Sequence, residues 1–333
     1  MVYTNTGDVK KHDAIYITMK PLLIIVSLLV GMAVLLIALT YPGFHGEMQA
    51  VRDRLFADSE ILKTDQGVIE YSVKGEGTPI LLLHGAGGGY DQGLWSGKTN
   101  LADGYKFISV SRFGYLRSPI PLDASIKSQA VLYVALMDHL SIDRAIVMGT
   151  SAGGPSAMQF ANDYPNRSLA LILLSAVTMA EAPGDKASFY VSMIHLIQQS
   201  DYVYWLFTQF MQTTILNLFG IPPNVYSNFT PKQKRLAQEM LDIMHPMSQR
   251  YEGTINDGKM IQLYGVSTTR ISAPTLIIHA KDDALVSYAH AKNAHEKIKP
   301  SRLILIDTGG HAMLSQMDKV TEYTRGFLRD IQK

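Results

Sequence analysis

Gly149-Thr150-Ser151-Ala152-Gly153 sets a serine between two glycines, each two residues away. The apolar run Ala145 to Met148 precedes it, and a stretch that reads as a helix follows. A serine on such a strand-to-helix turn is held in a strained backbone conformation, and the residues two before and two after crowd it, which is why both are glycine. Its hydroxyl then stands clear of the sheet as a nucleophile, with the N–H of Ala152 facing a developing oxyanion. Pro155 lies near the helix start, where a missing N–H costs little. An ordinary Gly-rich turn satisfies the same pattern, so its context carries the assignment.

Composition makes serine chemistry the natural nucleophilic option. The chain has no cysteine, which excludes disulfides, thiolate metal sites and a thiol nucleophile. No two histidines have the i, i+4 spacing with a glutamate between them, so no metal is expected. Gly85 to Gly89 lacks the Lys-Ser/Thr ending of a phosphate loop and opens no dinucleotide-binding helix, so no cofactor is expected either. With 333 residues, 47% hydrophobic and 18% charged, the chain is a folded protein able to bury one large core or two smaller ones. A net charge of +1 without a basic stripe gives no case for nucleic acid.

The elements that must position Ser151 follow from periodicity. Val68 to Val73 alternates as a half-buried strand, with a turn at Lys74 to Gly77 behind it. Pro79 to Leu83 is a continuous apolar run, the mark of a strand buried on both faces. Further strands are predicted at 106–110, 145–148, 170–174, 275–279 and 302–306, with helices such as 125–140 and 288–298 between them. This alternation predicts an α/β fold, a mostly parallel sheet with helices on both faces.

At this point the chain resembles the α/β-hydrolase family, over about residues 66–177 and 270–333. The residues that carry the resemblance are His84-Gly85-Ala86-Gly87 after the first buried strand, the Arg112-Phe113-Gly114-Tyr115 to Ser118 loop, the Ser151 turn, His279-Ala280-Lys281-Asp282-Asp283 with Val286, and Gly309-Gly310-His311. Ser111 and Leu116 depart from the family's usual Asp and Gly in the loop. The resemblance implies Ser151 as nucleophile, Asp283 as acid and His311 as base, in the chain order this fold uses. Asp282 is the competing acid; the spacing from His279 to Val286 favours Asp283. The Gly-rich stretch then supplies the oxyanion hole, with the N–H of Ala86, or alternatively Gly87, joining that of Ala152. His195, His245, His290 and His295 read as surface or packing residues.

About 90 residues, 178–269, separate the 170–174 strand from the acid-bearing strand, where this family commonly carries a helical cap. Its apolar and aromatic residues include Tyr190, Met193, Tyr202, Tyr204, Trp205, Phe207, Phe210, Met211 and Phe219. They either pack the cap onto the core or form an apolar acyl pocket over Ser151.

The amino terminus is a separate object. Pro21 to Leu39 carries no charge, and thirteen of its residues are Leu, Ile or Val. Those residues contribute roughly −4 to −8 kcal/mol to bilayer insertion, and at 1.5 Å per residue the run just spans a hydrocarbon core of about 30 Å. The organisation expected is a tail at 1–20, a transmembrane helix at 21–40, a polar connector at 41–60, a core at 61–177 and 270–333, and the cap. A cleaved signal peptide competes, since Lys10, Lys11 and Lys20 make a positive leader, but its apolar region would be too long and Ala38-Leu39-Thr40 is a poor cleavage site. The slight excess of Lys10, Lys11 and Lys20 over Arg52 and Arg54 sets the enzyme on the extracytoplasmic side.

A serine nucleophile disfavours the dehalogenases and epoxide hydrolases of this fold, which use aspartate. Ester or thioester hydrolysis of a small apolar substrate through an acyl-enzyme leads. Carbon–carbon bond hydrolysis, acyl transfer and a non-catalytic binding protein are the rival readings.

Overall fold

The computed structural model describes residues 7–101, 104–180, 195–262, 265 and 267–331, with side chains from residue 21 onward. Tyr190 and Met193 lie outside them. Contacts divide the chain into two compact units, residues 1–50 and 51–333.

The first unit is helical. Helix α1 runs Gly7–Ala57, its last two turns (51–57) belonging to the second unit. The side chains from Leu22 to Leu39 are exposed, and by length and composition the helix can cross a membrane. Residues 41–57, expected as a polar connector, continue the helix.

The second unit is built on an eight-stranded sheet in the order β1-β2-β4-β3-β5-β6-β7-β8. Its strands are β1 (Glu60–Thr64), β2 (Gly67–Lys74), β3 (Thr78–Leu83), β4 (Tyr105–Ser111), β5 (Ala145–Thr150), β6 (Ser168–Leu174), β7 (Thr275–Ala280) and β8 (Ser301–Ile306). β2 pairs antiparallel with both its neighbours, and every pairing from β4 through β8 is parallel. The edge strand β1 escapes periodicity because Ile61 and Leu62 are adjacent in it and its side chains are mostly exposed.

Alternation along the strands divides the core in two. Leu81, Leu83, Val147, Leu171 and Leu173 face one side, packing with helices α3 (Ile126–His139) and α4 (Gly154–Asp163). Ile80, Leu82, Ile146, Met148 and Ile172 face the other, packing with Leu94 and Leu101 at helix α2 (Tyr90–Asn100) and with Val320 and Phe327 of the helix Met317–Ile331. Each such side chain, fully buried, contributes about 1.5–3 kcal/mol. The chain leaves β3 toward β4 on one side, while β5 lies on the other, so the strand order reverses at β3. The crevice outside the carboxyl ends of β3 and β5 is where an α/β sheet places its ligand.

Between β6 and β7 the chain inserts helices at Asp201–Phe210, Gln212–Leu218, Pro223–Ser227, Pro231–Ile243 and Tyr251–Gln262. They share an apolar cluster that Leu314 and Met317 from after β8 join, with Tyr204, Leu216 and Leu241 of the helices and Met247 between them fully buried. Two buried ion pairs fasten this insertion to α2 and to the loop after β4. Arg250 reaches both oxygens of Asp91 at 2.9 and 2.8 Å, and Arg112 reaches both oxygens of Asp257 at 2.5 and 2.6 Å, where the Tyr115 hydroxyl also donates. Bidentate Arg–carboxylate geometry fixes orientation as well as proximity.

Candidate active site

Ser151 follows β5 directly and has φ +51°, a left-handed conformation that costs a non-glycine residue about 1–2 kcal/mol. The turn is tight enough that a Cβ on Gly149 would lie 2.6 Å from the Ala157 Cβ, and one on Gly153 2.3 Å from the Leu83 carbonyl oxygen. The two glycines are therefore a packing requirement of the turn.

His311 Nε2 lies 2.9 Å from Ser151 Oγ, and His311 Nδ1 lies 2.8 Å from Asp283 Oδ2. The structure thus brings together the three residues named from sequence, from the ends of β5, β7 and β8. The Asp283 side chain is fully buried, which alone would raise its pKa. The adjacent His311, hydrogen bonds from His279 and His311, and the N–H of Val286 overcome burial and hold the carboxyl well below the usual range. Ionised, Asp283 only accepts, so His311 carries a proton on Nδ1. In the neutral ring, Nε2 is then the acceptor for the Ser151 hydroxyl.

Asp283 is itself held from behind. Oδ1 accepts from the N–H groups of Leu285 and Val286, both at 2.9 Å, and Oδ2 lies 3.0 Å from His279 Nε2. That nitrogen is also 2.9 Å from the Val286 carbonyl, so two acceptors fix the His279 proton on Nε2. Asp282 points elsewhere: its oxygens take the N–H groups of Gly309 and Gly310 at 2.9 Å and the Thr308 hydroxyl at 2.6 Å, bracing the loop before His311.

Both backbone groups of His311 are tied as well. Its N–H donates to the Gly220 carbonyl at 2.9 Å, and its carbonyl accepts from the Ser175 hydroxyl at 2.7 Å. Gly220, in the helical insertion, has φ +76°, and a Cβ there would sit 2.8 Å from the Cβ of His311.

The loop after β3 faces Ser151. Arg112 N–H donates to His84 Nε2 at 3.0 Å, so neutral His84 carries its proton on Nδ1 and donates it to the Gly85 carbonyl at 2.6 Å. Burial, reinforced by Arg112, pushes the His84 pKa well down and keeps the ring neutral. Gly88 N–H binds the same carbonyl at 3.2 Å. The peptide is trans, so anchoring the Gly85 oxygen turns the Ala86 N–H the opposite way. Ala86 and Ala152 line the cavity beside Ser151; Gly87, the alternative donor, is not among its lining residues.

That cavity has a volume of about 310 Å³. Trp95, Phe219, Met240, Met244, Met313 and Met317 form much of its apolar wall. Among the described aromatic and methionine residues expected in an acyl pocket, Phe219 reaches it; Tyr204 and Trp205 are buried in packing, and Phe210 and Met211 are exposed. His195, read as surface or packing, lines the cavity and meets the Tyr251 ring edge-to-face at 5.7 Å. Sequence reasoning also missed the Arg112–Asp257 pair, the bracing by Asp282 and the backing of Asp283 by His279. Among the described residues no group of His, Asp and Glu could hold a metal ion.

A family model for the alpha/beta hydrolase fold matches residues 78–316. The "uncharacterized hydrolase YcgS" of Bacillus subtilis (strain 168) is 32% identical over 263 residues, covering 76% of this chain and 91% of that protein. The 2-hydroxy-6-oxo-6-phenylhexa-2,4-dienoate hydrolase of Comamonas testosteroni is 25% identical over 281 residues, 78% of this chain and 89% of its own length. Among solved structures, an alpha/beta hydrolase fold protein from Nakamurella multipartita superimposes with a TM-score of 0.66 at 23% identity, covering 82% of this chain and 99% of that one. With a serine at the turn after β5, a reversal of strand order beneath it and a family match over most of its length, this chain belongs to the alpha/beta hydrolase fold family, as a hydrolase.

Proposed function

We propose that the protein is a membrane-anchored serine hydrolase that cleaves neutral carboxylic esters or thioesters with an apolar acyl part. The observation that carries this reading is the hydrogen-bonded line Ser151–His311–Asp283 opening into a cavity whose described lining contains no lysine or arginine. Arg112 lies nearby, but both its terminal nitrogens are committed to Asp257. A carboxylate brought into such a cavity loses its hydration without gaining a lysine or arginine partner, and it meets the Asp257 carboxylate in the lining. The Comamonas relative is named for a dienoate, an anionic substrate, and this lining favours a neutral one.

In the proposed reaction Ser151 Oγ bonds to the substrate carbonyl carbon as its proton passes to His311 Nε2. The carbonyl electron pair moves onto oxygen, where the N–H groups of Ala86 and Ala152 receive the charge. Collapse breaks the bond to the leaving group, which takes the proton from His311 and leaves Ser151 acylated. Water then adds by the same path, losing its proton to His311, and releases the acid. Asp283 fixes the tautomer and stabilises the imidazolium throughout.

The test is turnover of 4-nitrophenyl esters against a 2-hydroxy-6-oxo-dienoate. Ester turnover with an inert dienoate is the expected result; the reverse would move the assignment to carbon–carbon hydrolysis.

In this reading residues 21–40 anchor the protein, 61–177 with 270–333 form the catalytic core on the extracytoplasmic side, and 178–269 are its cap. Deleting residues 1–40 should move the protein from the membrane pellet to the soluble fraction after a high-salt wash. Retention in the pellet would mean that another surface holds the bilayer.

A further inference from the structure

Helix α2 turns an unexpected face to the cavity. Gly93 and Gly97 press it onto the sheet, where Cβ atoms would fall 2.1 Å from Ser109 Oγ and 2.8 Å from Leu82 Cδ1. Gln92, Ser96 and Asn100, the neighbouring i, i+4, i+8 row, all line the cavity. At 1.5 Å per residue they stand about 6 Å apart along the helix. These three polar side chains stand in one row on a single helix, whereas the cavity's other polar lining, such as Thr150, Ser175, Gln198, Thr254 and Asp257, is spread over other elements.

Their own hydrogen bonds leave capacity unused. Gln92 Oε1 accepts from the Gly85 N–H at 3.0 Å, which commits the amide oxygen and leaves Nε2 as a donor. Asn100 Nδ2 donates to the Ser96 carbonyl at 2.9 Å and to Ser96 Oγ at 3.3 Å, leaving the Asn100 Oδ1 and the Ser96 hydroxyl proton. Among the described residues nothing in the protein takes up these three. Across the oxyanion loop, Gln198 Oε1 is also buried without a partner. Unpaired polar groups in a substrate cavity fix a ligand's orientation and discriminate against ligands that cannot pair with them.

The row also has a direction. It begins at the loop that holds Ala86 and ends at Ser96 and Asn100, which are only 8% and 7% exposed. Leu285, which lines the cavity near His311, is 43% exposed and marks the open side. A leaving group must depart by the open side, so the acyl chain occupies the closed end along α2. At about 310 Å³ the cavity lies at the small end of ligand pockets, which suits a short acyl chain.

Resting on the ester reading above, we propose that Gln92, Ser96 and Asn100 read a neutral oxygen on the acyl chain, so that the substrates are short oxo- or hydroxyacyl esters rather than plain alkyl esters.

The experiment compares kcat/KM of the full-length, detergent-solubilised protein on three 4-nitrophenyl esters: hexanoate, 5-oxohexanoate and the glutarate half-ester, which ends in a carboxylate. The oxo ester should exceed hexanoate about tenfold, the upper range for one buried hydrogen bond, and the glutarate should be the slowest. Ser96→Ala and Asn100→Leu should each pull the oxo-to-plain ratio toward one, with fluorophosphonate labelling of Ser151 reporting that each variant folds. Equal or better turnover of hexanoate by the unaltered protein would overturn this inference while leaving the ester reading intact. A preference for glutarate, or an oxo preference that survives both substitutions, would overturn it as well. Labelling of Ser151 with no turnover of any ester would overturn the ester reading and this inference together.

Discussion

Ser151→Ala is expected to lower kcat on a nitrophenyl ester by about a millionfold, the order seen when the nucleophile of a Ser-His-Asp system is removed, and to abolish fluorophosphonate labelling. The domain should still melt cooperatively, because Ser151 contributes little to the core beyond its hydrogen bond to His311. A companion substitution separates strain from chemistry. At φ +51° alanine inherits the left-handed penalty, whereas glycine does not. Ser151→Gly should therefore be as inactive as Ser151→Ala yet more stable than it by about 1 kcal/mol. Labelling that persists in either variant would place the nucleophile elsewhere.

Asp283→Asn is expected to cost about 10⁴ in kcat, and Asp282→Asn no more than about tenfold. The difference follows from what each carboxylate accepts. Two backbone N–H groups require an acceptor where Asp283 Oδ1 now lies, so the amide oxygen of the substituted side chain takes that place and its nitrogen falls opposite His279 and His311. His311 would then have to accept at Nδ1 and carry its proton on Nε2, where it cannot take one from Ser151. An amide at position 282 can keep its oxygen on Gly309 and Gly310 and turn its nitrogen to the Thr308 hydroxyl, which accepts as readily as it donates. Steady-state kcat for the two variants decides the matter. Activity lost only in Asp282→Asn would mean the acid is misassigned.

How far the sequence carried each part depended on whether its cause was local. The parallel strands were legible because burial on both faces writes continuous apolar runs such as Ile80 to Leu83, and the Ser151 turn because crowding at Gly149 and Gly153 acts within five residues. Asp257 is 145 residues from Arg112, and a pairing at that distance leaves no periodic trace in either segment. The row Gln92, Ser96, Asn100 was present as a spacing in the sequence, but its meaning depended on knowing which face of α2 the sheet had already taken. The division of labour between Asp282 and Asp283 turned on which N–H groups reach each oxygen, and two adjacent aspartates look alike until the backbone around them is folded.

The hydrogen bond from His311 N–H to the Gly220 carbonyl bears on how new specificities could arise in this scaffold. A roof that merely covered a pocket would be interchangeable, and a segment from any relative of matching length would serve as a graft. Here the roof also supplies a main-chain acceptor to the histidine beneath it, at a left-handed position that tolerates no side chain. A transplanted insertion that lacked a glycine in that register would misalign the histidine whatever pocket it brought, so on the reading proposed above the substrate range of this protein is more readily altered along α2 than by exchanging the roof.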